Sequence, residues 1–136
     1  MNNNQESFEE KITSLNNTAD TTAEFDNQDI QNNKIMAILS YFGILVLVPI
    51  LAAKESKFAR FHANQGLILC ICSIAVWLVI SIITSVLTWR LYWLISIISL
   101  VAWVGILILA IIGIINAANG KAKELPVIGH FKLLKV

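Results

Sequence analysis

Three long hydrophobic runs dominate the chain after residue 34. They cover about residues 35–53, 67–88 and 94–115, and none of them contains a charged side chain. A helix needs about 20 apolar residues to cross a hydrocarbon core about 30 Å thick. Each run therefore predicts one membrane-spanning helix, and the expected fold class is an all-α integral membrane protein with three transmembrane helices.

A polar segment, residues 1–34, precedes the first run. It carries seven of the nine acidic residues and shows no sustained hydrophobic period. Such a segment buries too little apolar surface to offset the entropy of ordering, so we predict a disordered tail. The domains are then a tail at 1–34, a membrane domain at 35–120 and a basic interfacial segment at 121–136.

The loop at 54–66 contains a helix-start signal followed by aromatic and cationic residues. Ser56 is a suitable N-cap for a helix that begins directly after it. Phe58 and Phe61 then lie three residues apart on one face, with Arg60 beside them. Cationic side chains that extend around apolar rings are typical of a helix at the headgroup level. We therefore predict a short interfacial helix before the second span.

Small residues form one face of each of the last two runs. In the second run the face consists of Cys70, Ser73, Trp77, Ser81, Thr84 and Thr88, and in the third of Ser99, Ala102, Gly105, Ala110, Gly113 and Ala117. Such faces let membrane helices approach closely. The predicted helix-packing residues are Ser73, Ser81, Thr84, Gly105, Gly113 and Ala117. The alternative is a water-lined path along the second run, which the lack of charge in that stripe disfavours.

Composition agrees with a lipid environment. The chain is 57% hydrophobic and 14% charged, whereas soluble domains average about 45–50% and 25%. Basic residues flank the hydrophobic runs, which favours contact with anionic lipid headgroups and disfavours nucleic-acid binding. The lipid bilayer is therefore the first predicted partner.

The distribution of Lys and Arg predicts an orientation. With three crossings, one side of the membrane would hold Lys34 and Arg90, and the other would hold seven Lys and Arg residues. Cytoplasmic loops carry the excess of these residues. We therefore predict a multi-pass protein of the cell (plasma) membrane, with the N-terminus outside and the C-terminus in the cytoplasm.

Residues for catalysis or cofactor binding are not apparent. The sequence has no Gly-rich phosphate loop, no paired intramembrane carboxylates and no metal-spaced His and Cys residues. We predict no enzyme, no metal and no cofactor. The leading interpretation is a structural or accessory subunit that acts through helix–helix contacts, with other membrane-protein subunits or with itself. The alternative is a transport or translocation component whose spans line a path.

Residues 58–66 read Phe-Ala-Arg-Phe-His-Ala-Asn-Gln-Gly directly ahead of the second run. They resemble the F-x-R-F-[HN]-A-x-Q element of a bacterial family of small membrane proteins. That family is similar to the Tic20-like component of chloroplast inner-envelope protein import. The residues assigned to the motif are Phe58, Arg60, Phe61, His62, Ala63 and Gln65.

The resemblance covers residues 34–136 and implies a cytoplasmic motif and C-terminus. It also implies protein translocation as the alternative function, although the plant proteins have four spans and this chain lacks the first. A physical interpretation needs no import role. Arg60 would bind lipid phosphates, the two Phe rings would lie among acyl chains, and Gln65 would contact a neighbouring helix.

Overall fold

The computed structural model describes residues 3–87 and 89–135, and the part of the chain that it describes is helical, with one isolated β-bridge and no β-strand. The α-helices are α1 (Asn3–Leu15), α2 (Asn27–Leu39), α3 (Leu47–Ala52), α4 (Lys57–Val86) and α5 (Tyr92–Ala118). Short 3-10 helices cover Thr22–Glu24, Gly43–Val46 and Trp89–Leu91. The all-α prediction is confirmed.

Helices α4 and α5 form an antiparallel hairpin that is long and apolar enough to cross a membrane. The 30 residues of α4 give a length of about 45 Å, more than a hydrocarbon core requires. Among the described residues between 70 and 111, Ile95 is the one that is buried. Since this surface is almost entirely apolar, lipid is the solvent that fits it. The predicted end of the second span, Thr88, lies outside the described residues.

The first hydrophobic run does not form a spanning helix, so the prediction of three transmembrane helices is wrong at this run. Helix α2 ends at Leu39, and Gly43 adopts a left-handed conformation with φ 57°. The chain then turns back through α3. The Phe58 backbone N–H donates to Asp29 Oδ2 at 3.0 Å, so the run returns to the end from which it entered. A hydropathy pattern does not distinguish such a re-entrant segment from a crossing.

Two close approaches hold α2 in place between α4 and α5. A Cβ atom on Gly66 would lie 1.8 Å from the Ser40 carbonyl oxygen, and one on Gly113 would lie 2.2 Å from the Tyr41 ring. Around these contacts is the base, which we define as residues 16–69 and 112–135. Its hydrophobic core consists of Ile30, Ala37, Tyr41, Phe58, Phe61, Leu69, Ile112, Ala117, Ala122 and Leu125.

Residues 16–34 are folded onto the rest of the base, so the prediction of a disordered tail is wrong for this part of the N-terminal segment. The Thr21 N–H donates to the Ala122 carbonyl at 3.0 Å, and the Thr18 hydroxyl donates to the Glu124 carbonyl at 2.6 Å. Both ends of the chain therefore lie at the same end of the hairpin. This pairing is incompatible with a tail outside the membrane and a C-terminus in the cytoplasm. Local sequence does not predict this pairing, because the partner residues lie about 100 positions away in the chain.

The predicted interfacial helix is the first part of α4. Ser56 caps it as expected, because its Oγ accepts the Ala59 N–H at 3.0 Å. The helix then continues without a break into the membrane-suited stretch, and Phe58 is fully buried. The C-terminal segment packs onto the rest of the base and buries Ala122 and Leu125, and its predicted place on the membrane surface stays a prediction. Aromatic residues among cations fit a protein core as well as a membrane interface.

Replacing Gly113 with Leu should destabilise the protein because the new side chain must displace the buried Tyr41 ring. Overpacking of this kind costs about 1–3 kcal/mol. The matched control is Ile108→Leu, at a position that is 38% exposed on the same helix. Thermal unfolding in detergent measures both. Equal unfolding temperatures for the two variants would show that Gly113 is not a tight contact.

Candidate functional site

A buried histidine joins three parts of the base. The Tyr41 hydroxyl lies 2.8 Å from His62 Nδ1, and His62 Nε2 lies 3.1 Å from the Lys121 carbonyl oxygen. A carbonyl only accepts, so the proton is on Nε2 and Nδ1 accepts from Tyr41 in the neutral ring. The Phe58 and Phe61 rings pack edge-on against the imidazole at 4.8 and 5.3 Å. His62 thus links α2, α4 and the segment that follows α5.

Asn64 holds the C-terminal segment by its backbone. Its Nδ2 donates to the Phe131 carbonyl at 2.8 Å, and its Oδ1 accepts from the N–H groups of Leu133 and Leu134 at 2.6 and 2.9 Å. The side chain itself is buried. A single amide therefore binds three peptide groups, in the way that one edge of a β-strand would. Sequence analysis missed Asn64, because it occupies the unspecified position of the motif.

Gln65 closes a turn in the same segment. Its Nε2 donates to the Gly129 carbonyl at 2.8 Å, and its Oε1 accepts the Leu125 N–H at 3.1 Å. A Cβ on Gly129 would lie 2.3 Å from the Leu125 nitrogen, so only glycine permits this turn. The predicted contact of Gln65 with a neighbouring helix is wrong, because its partners are backbone groups after α5. We call the side chains of His62, Asn64 and Gln65 the polar clamp.

A second set of bonds ties the N-terminal segment to α5. Asn16 and Asn116 exchange reciprocal amide bonds of 2.8 and 2.9 Å, and Lys123 Nζ donates to the Asn16 carbonyl at 3.1 Å. Nearby, Thr22 donates its hydroxyl and its N–H to Asp20, and these bonds lower the pKa of the Asp20 carboxyl. The N-terminal and the C-terminal segments therefore both contribute hydrogen bonds that hold the base together.

A groove of about 660 Å³ opens beside the polar clamp, between the N-terminal segment, α4 and the C-terminal segment. Its lining consists of Thr21, Glu24, Phe25, Phe61, Asn64, Gln65, Glu124, Gly129, Lys132, Leu133, Leu134 and Lys135. Within residues 3–87 and 89–135, no group of three or more His, Cys, Asp or Glu side chains is placed to hold a metal ion. The amides of Asn64 and Gln65 in the wall of the groove are bonded to the protein's own backbone.

The other motif residues also lie in the base. Phe58, Phe61 and Ala63 are buried within the protein, so the prediction that the two rings lie among acyl chains is wrong. Phe25 of the N-terminal segment covers them, with its ring centroid 5.7 Å from that of Phe61. Arg60 is partly exposed at the start of α4.

The predicted packing residues divide into two groups along the hairpin. Gly113 and Ala117 are buried in the base. Farther along, Ser73, Ser81 and Thr84 donate their hydroxyls to carbonyls of their own helix, and Gly105 has no neighbouring atom within 4 Å of an added Cβ. Contacts of these distal residues with another chain stay a prediction.

Two apolar helices with an elaborate polar base at one end define a small, membrane-associated helical-hairpin protein. A family model described as "Magnetosome magnetite crystal formation protein family" matches residues 32–132. The chain belongs to this family, in which MamF and MmsF are grouped. The resemblance to the Tic20-like import family is therefore wrong, because the family that matches residues 32–132 is a different one.

Curated relatives agree with the family. The chain is 34% identical over 100 residues to "Magnetosome protein MamF" of Paramagnetospirillum magneticum, covering 74% of this chain and 82% of that protein. It is 32% identical over 96 residues to MamF of Magnetospirillum gryphiswaldense, with 71% and 78% covered. "Magnetosome protein MmsF" of Paramagnetospirillum magneticum is 30% identical over 94 residues, with 69% and 79% covered. No solved structure gives a significant match.

Replacing Asn64 with Ala should release the C-terminal segment. The amides of Leu133 and Leu134 lose their acceptor, and each hydrogen bond contributes about 0.5–1.5 kcal/mol, so their exchange with solvent deuterium should accelerate roughly tenfold. Asn17→Ala, at an exposed position, is the matched control. Unchanged exchange at both amides in Asn64→Ala would mean that Asn64 does not hold this segment.

Proposed function

We propose that this protein is a membrane-embedded accessory factor in the formation of magnetosome magnetite crystals, acting from its base. The family match over residues 32–132 is the observation that carries this proposal. Its place in this scheme is the magnetosome membrane, while the cell-membrane location predicted from sequence stays a prediction. Its partners are the surrounding lipid and other membrane proteins at the base.

The distribution of charge supports action at the base. All nine Asp and Glu residues lie outside residues 67–118, and Arg90 is the only charged residue within that range. Proteins hold iron ions with carboxylate, imidazole, thiolate or phenolate side chains, usually several together. The far turn, residues 87–92, contains one such group, the Tyr92 phenol, and no carboxylate, imidazole or thiol. An accessory role through the base therefore fits the chain better than direct contact of the far turn with iron or mineral.

The same distribution supports a cytoplasmic base. With two crossings by α4 and α5, nine of the ten Lys and Arg residues fall on the side of the base, and Arg90 is alone on the other side. Cytoplasmic segments carry the excess of Lys and Arg. This excess of nine Lys and Arg residues against one is larger than the excess of seven against two that three crossings would give. Trp89 lies in the far turn and Trp93 directly follows it, which fits a position at the opposite membrane interface, where Trp side chains are enriched.

Topology reporters test this arrangement. Alkaline phosphatase fused before residue 3 or after residue 135 should be inactive, because both ends share the cytoplasmic side, whereas fusion after Arg90 should be active. A cytoplasmic fluorescent protein at the same three positions is the control and should give the reverse pattern. Opposite activities at the two chain ends would restore a three-crossing topology and contradict the two-crossing one.

Complementation tests the function. In a Paramagnetospirillum magneticum strain that lacks its own MamF and MmsF, expression of this chain should shift magnetite crystal dimensions towards those of the parent strain. Electron microscopy of crystals measures the effect. The control is the native MamF gene returned to the same strain. If the chain reaches the magnetosome membrane in amounts equal to native MamF and crystals still match those of the deletion strain, the proposed function is wrong.

A further inference from the structure

An apolar segment surrounds one end of the hairpin without crossing the membrane. We define the wedge as residues 35–53, which comprise the end of α2, the 3-10 turn and α3. Its inner side packs on the hairpin, where Val46 is 1% exposed. Its outer side is apolar and open, with Ile35 and Ile44 each 72% exposed and Leu51 66% exposed. Exposure of this apolar surface to water is unfavourable, so we expect lipid acyl chains to cover it.

Geometry confines the wedge to one leaflet. Lys34 is the last charged residue before it, and Lys54 is the first after it, so both ends of the wedge lie at the headgroup level. Helix α2 ends at Leu39, four residues after Ile35, which is an advance of about 6 Å along the helix axis, before the chain turns back through α3. Half of a hydrocarbon core is about 15 Å. The wedge therefore ends before the bilayer midplane.

Charge at the rim of the wedge favours lipid over a protein partner as its occupant. Residues 54–60 follow the wedge and contain three cations, Lys54, Lys57 and Arg60, against one acid, Glu55, and anionic headgroups attract such an excess of Lys and Arg side chains. The wedge is also continuous with the lipid-suited surface of α4, against which α3 packs. One apolar surface therefore runs from the wedge to the hairpin with a cationic rim.

The cross-section of the protein consequently differs between the two leaflets. In the leaflet near the base, the wedge adds to α4 and α5, whereas in the far leaflet the described residues contribute only the two hairpin helices. We propose that this asymmetry makes the protein prefer curved membranes, with its base on the convex face. When a membrane is curved, the leaflet on the convex face is stretched, and additional protein area in that leaflet relieves the stretching. Insertion at this depth depends on curvature. The inference requires membrane insertion only and goes beyond the proposed role in crystal formation.

Single-vesicle fluorescence measures this preference. The full chain, with an N-terminal tag, is reconstituted into vesicles of phosphatidylcholine and phosphatidylglycerol in equal amounts and mixed sizes. A membrane-impermeant dye counts molecules whose base faces outward, and dye added after permeabilisation counts the remainder. The outward population should be severalfold denser per unit of lipid in the smallest vesicles than in the largest, and the inward population should show the opposite trend. Densities independent of diameter in both populations would overturn the proposal.

Paired substitutions assign the effect to the wedge. Ile44→Ser with Leu51→Ser removes apolar surface from its outer side and should flatten the dependence on diameter. The matched control is Leu100→Ser with Val101→Ser, at positions 65% and 66% exposed in the far half of α5, and it should retain the dependence. A dependence that is equal in both double variants would contradict a wedge mechanism. If the first variant fails to fold, the opposite trends of the two wild-type populations still decide the question.

Discussion

The fit of Tyr41 and Ser40 against two glycines determines the architecture. Gly66 on α4 and Gly113 on α5 leave room for the end of α2 between the two helices, and any larger side chain would occupy that space. Once α2 is seated there, Tyr41 reaches His62, and His62 in turn reaches Lys121. The turn-back of the first hydrophobic run and the position of the C-terminal segment both follow from that contact. Without this contact, the run at 35–53 would lose the packing that holds it at one end of the hairpin.

Buried polar groups explain why the two ends of the chain close over the base. His62, Asn64, Gln65 and Asn116 are all buried, and no described buried side-chain polar atom lacks a partner. An unsatisfied buried polar group costs about 1–3 kcal/mol. Apart from Tyr41, which bonds His62, the partners come from residues 121–134 and from Asn16, so these buried side chains and the chain ends depend on each other.

Features that depend on interactions between nearby residues could be predicted from sequence, and features that depend on contacts between distant residues could not. The runs at 67–88 and 94–115 gave the two long helices, and Ser56 gave the start of α4, because hydropathy and capping act over a few residues. The first run is also strongly hydrophobic, yet whether it crosses the membrane or turns back depends on its contacts with α4 and α5. The polar tail lacks a local period, and its order comes from backbone pairing across about 100 residues. Neither contact leaves a periodic signal.

The candidate site was harder to predict than the fold. Aromatic and cationic residues before a span fit a lipid interface, and the same residues fit a protein core once other segments cover them. The informative signal was the uncharged polar sequence from His62 to Gln65 at the start of an apolar helix. Side chains with both donors and acceptors at such a place need partners with both, and free backbone supplies them. Asn64 was therefore identifiable as a clamp residue, although its partners were not.

The extent of the family match separates shared architecture from additions. It begins at residue 32 and ends at residue 132, which includes the wedge, the hairpin and most of the C-terminal segment. Helix α1 and Asn16, which bonds Asn116, lie outside it. Within the matched part, α4 and α5 are joined at one end by the far turn and at the other by the bond from His62 to the Lys121 carbonyl. Hydrocarbon offers no directional contacts to fix the register of two apolar helices. The base therefore sets the register of α4 and α5. A role shared across the family has to be compatible with a packed base at one end of an apolar hairpin.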